Sequence, residues 1–416
     1  MSARRLALAC SLAGACTPLS PGLEDMEEPA PSEVGPVPKD SDHSGRTLQL
    51  AAVSDGPLTV TPLADRGVAV YGPGVLALAL GGGPLESDGD WLRGWPHQWV
   101  FAVGGRWPDR AFLSAITEMS RTGMTYSVRS WRRRAWVESP PPGAAKMLEF
   151  YSDFAVASDG ALLGLRGYTP PMFGEGAGDD ASRRVTIDRL DDGSPPPWPP
   201  LPHGRGAEQL LTFADGSIVV VGIDPSFSPS LHRWSPGGRK WVELPRPPER
   251  GRPEVGDGPA VIVGRDPARL YAHRCLADAQ PALDRLSERT WKPFPQPPGG
   301  CITSLAEAPD GTLWLVNKRG LFRRRPGPES TLWEAVPLEP VEVPGKPVAQ
   351  VPGGPELPPP GPEPLSPQQV LALDRGELWL VATVGDPHTM PPRQVVLTTR
   401  MVILPLVLRP LSKWSG

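Results

Sequence analysis

The clearest signal in the chain is the stretch 302–323, which has the sequence ITSLAEAPDGTLWLVNKRGLFR. Apolar residues alternate on both sides of Asp310-Gly311, and an Asp-Gly pair favours a two-residue type I′ hairpin turn because both central positions need positive φ. A third strand is expected after Gly320, and a fourth closes on Pro337. The stretch and its continuation therefore predict a four-stranded antiparallel meander.

The same arrangement of strand, turn and strand recurs along the chain. The other six units are 58–71, 99–116, 154–165, 210–222, 260–273 and 369–382. A tryptophan four residues before a proline independently marks five consecutive units: Trp136/Pro140, Trp198/Pro202, Trp241/Pro245, Trp291/Pro295 and Trp333/Pro337. A single sheet of this kind cannot bury both of its faces, so successive sheets must stack radially, and closing the ring removes most exposed edges. The repeats therefore predict an all-β fold with a single seven-bladed β-propeller of four-stranded antiparallel blades over residues 47–410.

Composition supports this fold class, since 57 prolines and 46 glycines in 416 residues exclude a helical bundle or coiled coil. The proline-dense stretch 337–367 is expected to be an extended insertion between blades six and seven, and 411–416 a short tail. Two segments could supply the strand that closes the ring, 47–53 at one end and 401–408 at the other. The alternation of apolar residues in 47–53 favours the first.

The N-terminus has the order of charged, apolar and small residues that is typical of a secretory signal. Arg4 and Arg5 precede an apolar stretch that ends at Ala13-Gly14-Ala15-Cys16. This segment resembles a bacterial lipoprotein precursor, although Ala13 stands where leucine is usual. The resemblance implies a signal peptide over 1–15, lipidation of Cys16, and a location in the cell envelope, at the outer membrane. Plain secretion and a cytosolic start remain alternatives.

Residues 16–46 are rich in proline and acidic side chains and have few apolar residues, so they are expected to be a disordered tether. The blade-like units resemble the β-propeller repeats of the kelch, two-component-regulator and related extracytoplasmic families. The resemblance is best at Asp310-Gly311-Thr312-Leu313-Trp314 and at Gly320-Leu321-Phe322.

Four cysteines occur in the chain. Cys10 would leave with the signal peptide and Cys16 would carry the lipid, which leaves Cys275 and Cys301 as a pair. Both are expected on the same face of adjacent blades, which predicts a disulfide between them. Two separate buried thiols remain the alternative.

The order of strands in each meander determines on which face of the ring a candidate binding residue lies. With strands labelled A (inner) to D (outer), the B–C loops and the crossings from D to the next A lie on one face, called here the B–C face. The A–B and C–D turns lie on the other, the A–B face. Long loops on a rigid scaffold often carry binding residues, so we expect a ligand site on the B–C face. The candidate residues there are His97, Tyr168, Phe173, His203 and His388.

These candidates share no metal-ligand spacing, and the chain contains no Gly-x-Ser-x-Gly, His-Glu-x-x-His, phosphate-loop or dinucleotide motif. We therefore expect no metal or cofactor, and the sequence identifies no catalytic residue. The net charge of −4 argues against nucleic acid as a partner. Basic runs at 132–134, 239–240 and 323–325 are expected near C–D turns as solvated charges.

The functional prediction is a lipid-anchored, monomeric, non-enzymatic scaffold that binds a protein, peptide or glycan at the cell envelope. An extracytoplasmic hydrolase or lyase with its active site at the mouth of the central channel is the alternative, because a fold does not determine function.

Overall fold

The computed structural model describes residues 48–80, 82–87, 99–107, 110–120, 123–132, 135–139, 141, 149–168, 185–191, 196–199, 201, 206–223, 229–248, 261–273, 282–297, 300–327, 332–344, 362–373, 377–385, 393–400, 402 and 405–408. All of them belong to one compact unit, His43–Gly416. The predicted signal peptide, tether and tail lie outside the described residues.

Seven sheets follow one another along the chain. The first strand, β1 (Gln49–Ser54), belongs to the last of them. Blade 1 consists of β2 (Thr59–Pro62), β3 (Val68–Gly72), β4 (Val75–Ala79) and β5 (Leu85–Glu86). Blade 2 consists of β6 (Trp99–Arg106), β7 (Arg110–Ser120), β8 (Gly123–Arg132) and β9 (Ala135–Glu138). Blade 3 consists of β10 (Glu149–Val156), β11 (Leu162–Tyr168) and β12 (Thr186–Arg189).

The remaining blades continue the same order. Blade 4 consists of β13 (Gly206–Thr212), β14 (Ile218–Ile223), β15 (Pro229–Trp234) and β16 (Val242–Glu243). Blade 5 consists of β17 (Val261–Asp266), β18 (Arg269–His273), β19 (Leu283–Ser287) and β20 (Thr290–Phe294). Blade 6 consists of β21 (Ile302–Glu307), β22 (Leu313–Asn317), β23 (Gly320–Arg324) and β24 (Glu334–Val336). Blade 7 has β25 (Leu365–Ala372), β26 (Leu378–Val384) and β27 (Gln394–Thr398), and β28 (Leu406–Leu408) lies at its edge.

The apolar core shows that the ring is closed. It is divided into seven clusters, each made by the facing sides of two adjacent blades, and one of them joins blade 7 to blade 1. An open row of seven sheets would have only six such interfaces. The predicted seven-bladed β-propeller is therefore confirmed, and no helix occurs among the residues that the structure describes. Within that part of the chain, no helix is long and apolar enough to cross a membrane.

Strand β1 closes the ring, as the alternation in 47–53 predicted. It pairs antiparallel with β27, with Gln49 opposite Thr398 and Ser54 opposite Gln394. The competing C-terminal segment is used as well, because β28 pairs parallel with β1 and becomes a fifth strand. Blade 7 therefore has its four antiparallel strands and one added parallel strand, and blade 3 has three strands in its described part.

The turn type predicted for the Asp-Gly pairs was wrong. In the Asp-Gly turns of blades 3, 4 and 6 only the glycine has positive φ, 82° at Gly160, 79° at Gly216 and 80° at Gly311. The preceding aspartate instead accepts a hydrogen bond through Oδ1 from the backbone N–H two residues further on, as Asp310 does from Thr312 at 2.9 Å. This local bond fixes a three-residue turn in which only one position needs glycine.

A buried ion pair lies at the seam between blades 7 and 1, on the A–B face. Arg400 donates to Glu377 Oε1 at 2.5 Å, and both side chains are almost fully buried. The same guanidinium donates to the carbonyl oxygens of Gly83 and Arg66 in blade 1, at 2.8 and 3.0 Å. The indole of fully buried Trp379 also donates to Glu377. The pair therefore ties the closing blade to the first one.

We predict that Glu377→Gln lowers the free energy of unfolding by about 3 kcal/mol, because it leaves the buried Arg400 without a counter-charge. The measurement is chemical denaturation of the full chain. Glu334→Gln is the matched control, since its partner Arg323 lies at 2.7 Å but Glu334 is exposed, and it should cost less than about 1 kcal/mol. Equal losses in the two variants would contradict a special role for the seam.

Candidate functional site

Most of the predicted ligand residues lie outside the described part of the chain. His97, Phe173, His203 and His388 are among them, so their predicted role stays a prediction. Tyr168 is the last residue of β11, and its backbone reaches the B–C face of blade 3 opposite Glu149. The predicted site residues are therefore not shown to come together.

An aromatic patch lies at the B–C face between blades 2 and 3. We define it as Phe101 in β6, Tyr126 in β8 and Phe150 in β10. The rings of Tyr126 and Phe150 are stacked with centroids 4.3 Å apart, and Phe101 meets Phe150 edge-on at 5.5 Å. All three side chains are half-buried. Trp99, two residues before Phe101, is 37% exposed.

Local backbone geometry and topology place these rings. The pairing of β6 with β7 shifts register between Val100 and Ala102, so Phe101 occupies a β-bulge. Bulges re-aim side chains and are frequent beside functional sites. Inner strands begin at the B–C face, which brings Phe150 to the same end of the ring. The patch combines residues of three strands, and no motif in the sequence announces it.

Polar side chains at the bulges of the inner strands join one blade to the next. Gln369 accepts from the N–H of Val60 and donates to its carbonyl, both at 2.9 Å. Ser304 makes the same pair of bonds to Val370, at 3.1 and 3.3 Å. Asp153 accepts from the N–H of Leu210 at 2.8 Å. These bonds satisfy backbone groups of the innermost strand of the next blade, which lies at the edge of its sheet and has a strand partner on one side only.

Among the described residues, Asp153 is the acid whose pKa departs most from its usual value. Burial raises its pKa to about 7, although the N–H groups of Leu210 and Phe154 partly offset this by stabilising the carboxylate. Burial also raises the pKa of Tyr71, and the charge of Asp153 raises it further, so the phenol lies within electrostatic reach of the carboxyl group. A carboxyl group with a pKa near 7 can exchange a proton at neutral pH. Both of its oxygens, however, accept backbone hydrogen bonds.

The basic runs on the A–B face are partly engaged in packing. Arg323 donates to Glu334 at 2.7 Å, and the Arg324 guanidinium lies 4.2 Å from the centre of the Phe294 ring. Arg239 and Lys240 are exposed in the C–D turn of blade 4. Residues 133 and 134 of the first run lie outside the described residues.

A histidine links the two segments that carry the predicted disulfide. Nδ1 of His273 donates to the carbonyl of Ala282 at 2.7 Å, and its Nε2 accepts from the N–H of Ile302 at 2.9 Å. Burial lowers the pKa of His273, which favours this neutral form. His273 stands two residues before Cys275, and Ile302 directly follows Cys301. Cys275 lies outside the described residues, so the disulfide stays a prediction.

Among the described residues, no group of three or more His, Cys, Asp or Glu side chains could hold a metal ion. The tryptophans at the second position of the B strands of blades 6 and 7 are core residues, since Trp314 and Trp379 are 2% and 0% exposed. The concentration of aromatic rings at the B–C face is therefore the feature of the described surface that best fits a ligand.

No family model matches the chain, and no curated protein matches it either. It is similar to the extracellular domain of a putative one-component system from B. thetaiotaomicron, with a TM-score of 0.49 and 10% identity over 85% of this chain and 40% of that chain. It is similar to YCF48 from Cyanidioschyzon merolae, with a TM-score of 0.47 and 12% identity over 85% of this chain and 98% of that one.

A virginiamycin B lyase from Staphylococcus aureus, solved in an inactive form with quinupristin, gives a TM-score of 0.44 and 12% identity over 85% of this chain and 99% of that one. At these identities the likeness concerns the fold alone. The chain spans about 40% of the length of the B. thetaiotaomicron domain.

We predict that Asp153 titrates with a midpoint near pH 7, because burial penalises its charged form. The carboxyl carbon shift, followed by NMR against pH and assigned with Asp153→Asn, measures this midpoint. The folded pKa lies above the unfolded value of about 3.9, so the folded state binds more protons in between. The contribution of Asp153 to stability should therefore fall as pH rises from about 4 to about 7. A midpoint near 4 would contradict the burial.

Proposed function

We propose that the protein is a lipid-anchored, extracytoplasmic β-propeller that binds a protein, peptide or glycan on its B–C face, without catalysis. The observation that carries this proposal is the aromatic patch with Trp99 beside it. Half-buried rings fixed by stacking offer apolar and edge contacts at a low cost in conformational entropy. Aromatic residues of this kind dominate the affinity of many interfaces.

The direction of β1 supports anchoring from the A–B face, which lies opposite the aromatic patch. A fourth strand runs from the A–B face towards the B–C face, and β1 fills that place in blade 7. The chain therefore enters the ring at the A–B face. This entry point lies on the face opposite the aromatic patch. The signal-like N-terminus supports export and anchoring at the outer membrane, and secretion remains the second possibility.

The stacked aromatic rings of the patch also fit a neutral or weakly charged ligand better than a polyanion. The three rings of the patch carry no charge. We therefore do not propose nucleic acid as a partner, and we propose that the propeller acts as a monomer. The Cys275–Cys301 disulfide is proposed as a staple between blades 5 and 6, supported by the bond between His273 and Ile302.

An envelope hydrolase or lyase is the second candidate, and Asp153 is the observation in its favour. Its pKa near 7 suits proton transfer. Its carboxyl oxygens nevertheless accept hydrogen bonds from the N–H groups of Phe154 and Leu210. These bonds account for Asp153 as a structural link between the inner strands of blades 3 and 4. The scaffold is therefore the better-supported function.

The proposal predicts that Trp99→Ala weakens binding of the ligand, whereas Tyr126→Phe and a change on the opposite face do not. The tagged full chain is extracted from envelopes after chemical cross-linking, and the partners bound by each variant are quantified by mass spectrometry. A true ligand should be depleted at least several-fold by Trp99→Ala and retained by Tyr126→Phe, which keeps the stacked ring. Arg239→Ala, on the A–B face, is the control and should retain it. A partner that is lost with Arg239→Ala and kept with Trp99→Ala would contradict the placement.

A further inference from the structure

Three tryptophans near the start of outer strands make the same hydrogen bond to the preceding blade. The indole Nε1 atoms donate at 2.7 Å to proline carbonyl oxygens, in the pairs Trp241–Pro199, Trp291–Pro245 and Trp333–Pro295. Blades 3, 4 and 5 therefore each present a proline carbonyl, and the next blade places an indole beside it. An indole suits this place because it is a large apolar ring with a single N–H donor.

The packing around Trp333 shows how such a place is built. The ring belongs to the apolar cluster between blades 5 and 6, together with Phe294 of blade 5 and Leu313 of its own blade. Its indole N–H meets the Pro295 carbonyl. The place therefore combines apolar walls from two blades with one hydrogen-bond acceptor at the end of an outer strand.

Strand register defines the row of residues to which Trp333 belongs. Leu313 in β22 pairs with Arg324 in β23. Arg323 pairs with Glu334 in β24, and the next pair in this register is Arg324 with Trp333. From the second strand of blade 6 to the fourth, the row therefore consists of Leu313, Arg324 and Trp333.

The equivalent row of blade 7 ends in a leucine. Leu378 begins it, because blades 6 and 7 both have a Leu-Trp-Leu-Val sequence in their second strand. Thr399 donates its N–H to the Leu378 carbonyl at 3.1 Å. Thr398 pairs with Gln49 of the closing strand, and the next pair in this register is Thr399 with Leu48. Blade 7 therefore has Leu48 where blades 4, 5 and 6 have tryptophan.

A second ring is replaced at the same interface. In blade 5, Phe294 stands three residues after Trp291 and directly before the proline that accepts the hydrogen bond. In blade 6, Val336 holds that position, three residues after Trp333 and directly before Pro337. Phe294 packs against the cluster between blades 5 and 6, and Val336 packs against the cluster between blades 6 and 7. The latter interface therefore has two aliphatic side chains where the preceding one has two aromatic rings.

A groove of about 320 Å³ lies where these two rings are replaced. The whole row of blade 7, Leu378, Thr399 and Leu48, lines it together with Val336 and Pro337 of blade 6. Pro337 is exposed, and Leu48 and Val336 are half-buried, so the groove opens to solvent. Leu48 has no side-chain N–H for the Pro337 carbonyl. An apolar cavity of about 150 Å³ already binds benzene, so the groove has room for an indole.

We propose that this groove binds a tryptophan side chain of a partner protein. Its walls are equivalent to those that hold a tryptophan in blades 4, 5 and 6, and the place of the ring is left open. The bound indole packs on Leu48 and Val336 and donates its N–H to the Pro337 carbonyl. The chain itself identifies the occupant, since its own repeats show which side chain a place of this construction accepts.

The groove is a separate site from the aromatic patch between blades 2 and 3, and the proposal does not rest on the function proposed for that patch. It gives a partner a contact at the outer strands of blades 6 and 7 rather than on the B–C face. A tryptophan of a second copy of this chain has the same chemistry as one from another protein, and the experiment distinguishes the two.

The test uses N-acetyl-tryptophanamide as the probe and follows leucine methyl signals of the full chain by NMR. We expect saturable shifts at Leu48, Leu378 and Leu397, which line the groove. N-acetyl-1-methyltryptophanamide keeps the ring without the N–H donor and should bind about fivefold more weakly, the loss expected for one hydrogen bond. N-acetyl-leucinamide is the control compound and should give no saturable shift.

Three results of this titration would overturn the proposal. They are the absence of saturable shifts, equal affinity of the two tryptophan compounds, and shifts confined to the surroundings of Phe101. The last result would report binding to the aromatic patch instead, so the two sites are tested separately.

Substitutions on the two walls of the groove test the same site from the protein side. Leu48→Trp supplies the residue used by blades 4, 5 and 6 and should abolish binding of the probe. Val137→Trp is the matched control, because it adds a tryptophan at an exposed valine in the outer strand of blade 2, and it should leave the affinity unchanged. If Leu48→Trp does not fold, Val336→Phe fills the groove from the other wall and should weaken binding at least several-fold. Native affinity in the wall variant that folds would contradict the proposal.

Sedimentation of the full chain identifies the source of the tryptophan. A partner from another protein predicts that the native chain and the Leu48→Trp variant both sediment as monomers. Self-association of the native chain that Leu48→Trp abolishes would place a second copy in the groove and would overturn the assignment to a different protein.

Discussion

The pairing of β1 with β27 is the interaction on which the rest of the structure depends. Six blades are made from strands that are consecutive in the chain, whereas blade 7 takes its fourth strand from the beginning of the described chain. Without that pairing, the facing sides of blades 7 and 1 would lack the apolar residues of β1, including Ala51 and Ala52, which are almost fully buried in the cluster that joins them. Closure therefore converts seven marginal sheets into one cooperative body.

Polar contacts reinforce this closure at three radii. Near the axis, Gln369 bonds to the backbone of Val60 across the seam. On the A–B face, the buried Arg400–Glu377 pair bonds to the backbone of blade 1. At the outer edge, β28 covers β1 and packs Leu408 into the cluster between blades 7 and 1. Contacts like the one between Gln369 and Val60 recur between other blades, whereas β28 is an added strand of blade 7.

Much of the fold follows from the sequence because it depends on local patterns. Alternation around Asp310-Gly311 and its repeats predicts seven blades, and the alternation in 47–53 predicts the closing strand. The turn type was mistaken because the Asp310 side chain bonds to the N–H of Thr312 and removes the need for a second positive φ. The fifth strand of blade 7 was missed, because a four-stranded blade leaves one open place and the sequence offers 401–408 only as a competitor of 47–53 for it.

The candidate site is far less predictable than the fold. The aromatic patch joins Phe101, Tyr126 and Phe150, which are up to 49 residues apart and share no motif. Loop length pointed instead to His97, Phe173 and His388, because long loops are visible in a sequence and a β-bulge is not. The tryptophans were visible as markers of the repeat, but only the structure shows that Trp241, Trp291 and Trp333 each donate a hydrogen bond to the preceding blade.

Ring closure by β1 is tested most directly by comparing thermal unfolding of two shortened chains, one beginning at residue 48 and one at residue 55. Because β1 spans Gln49–Ser54, only the second chain loses it. The first should unfold in one sharp transition at the temperature of the full chain. The second should lose that sharp transition or unfold more than about 10 °C lower, since at least a few kcal/mol of buried contacts are removed. The same unfolding temperature for both chains would contradict closure by β1.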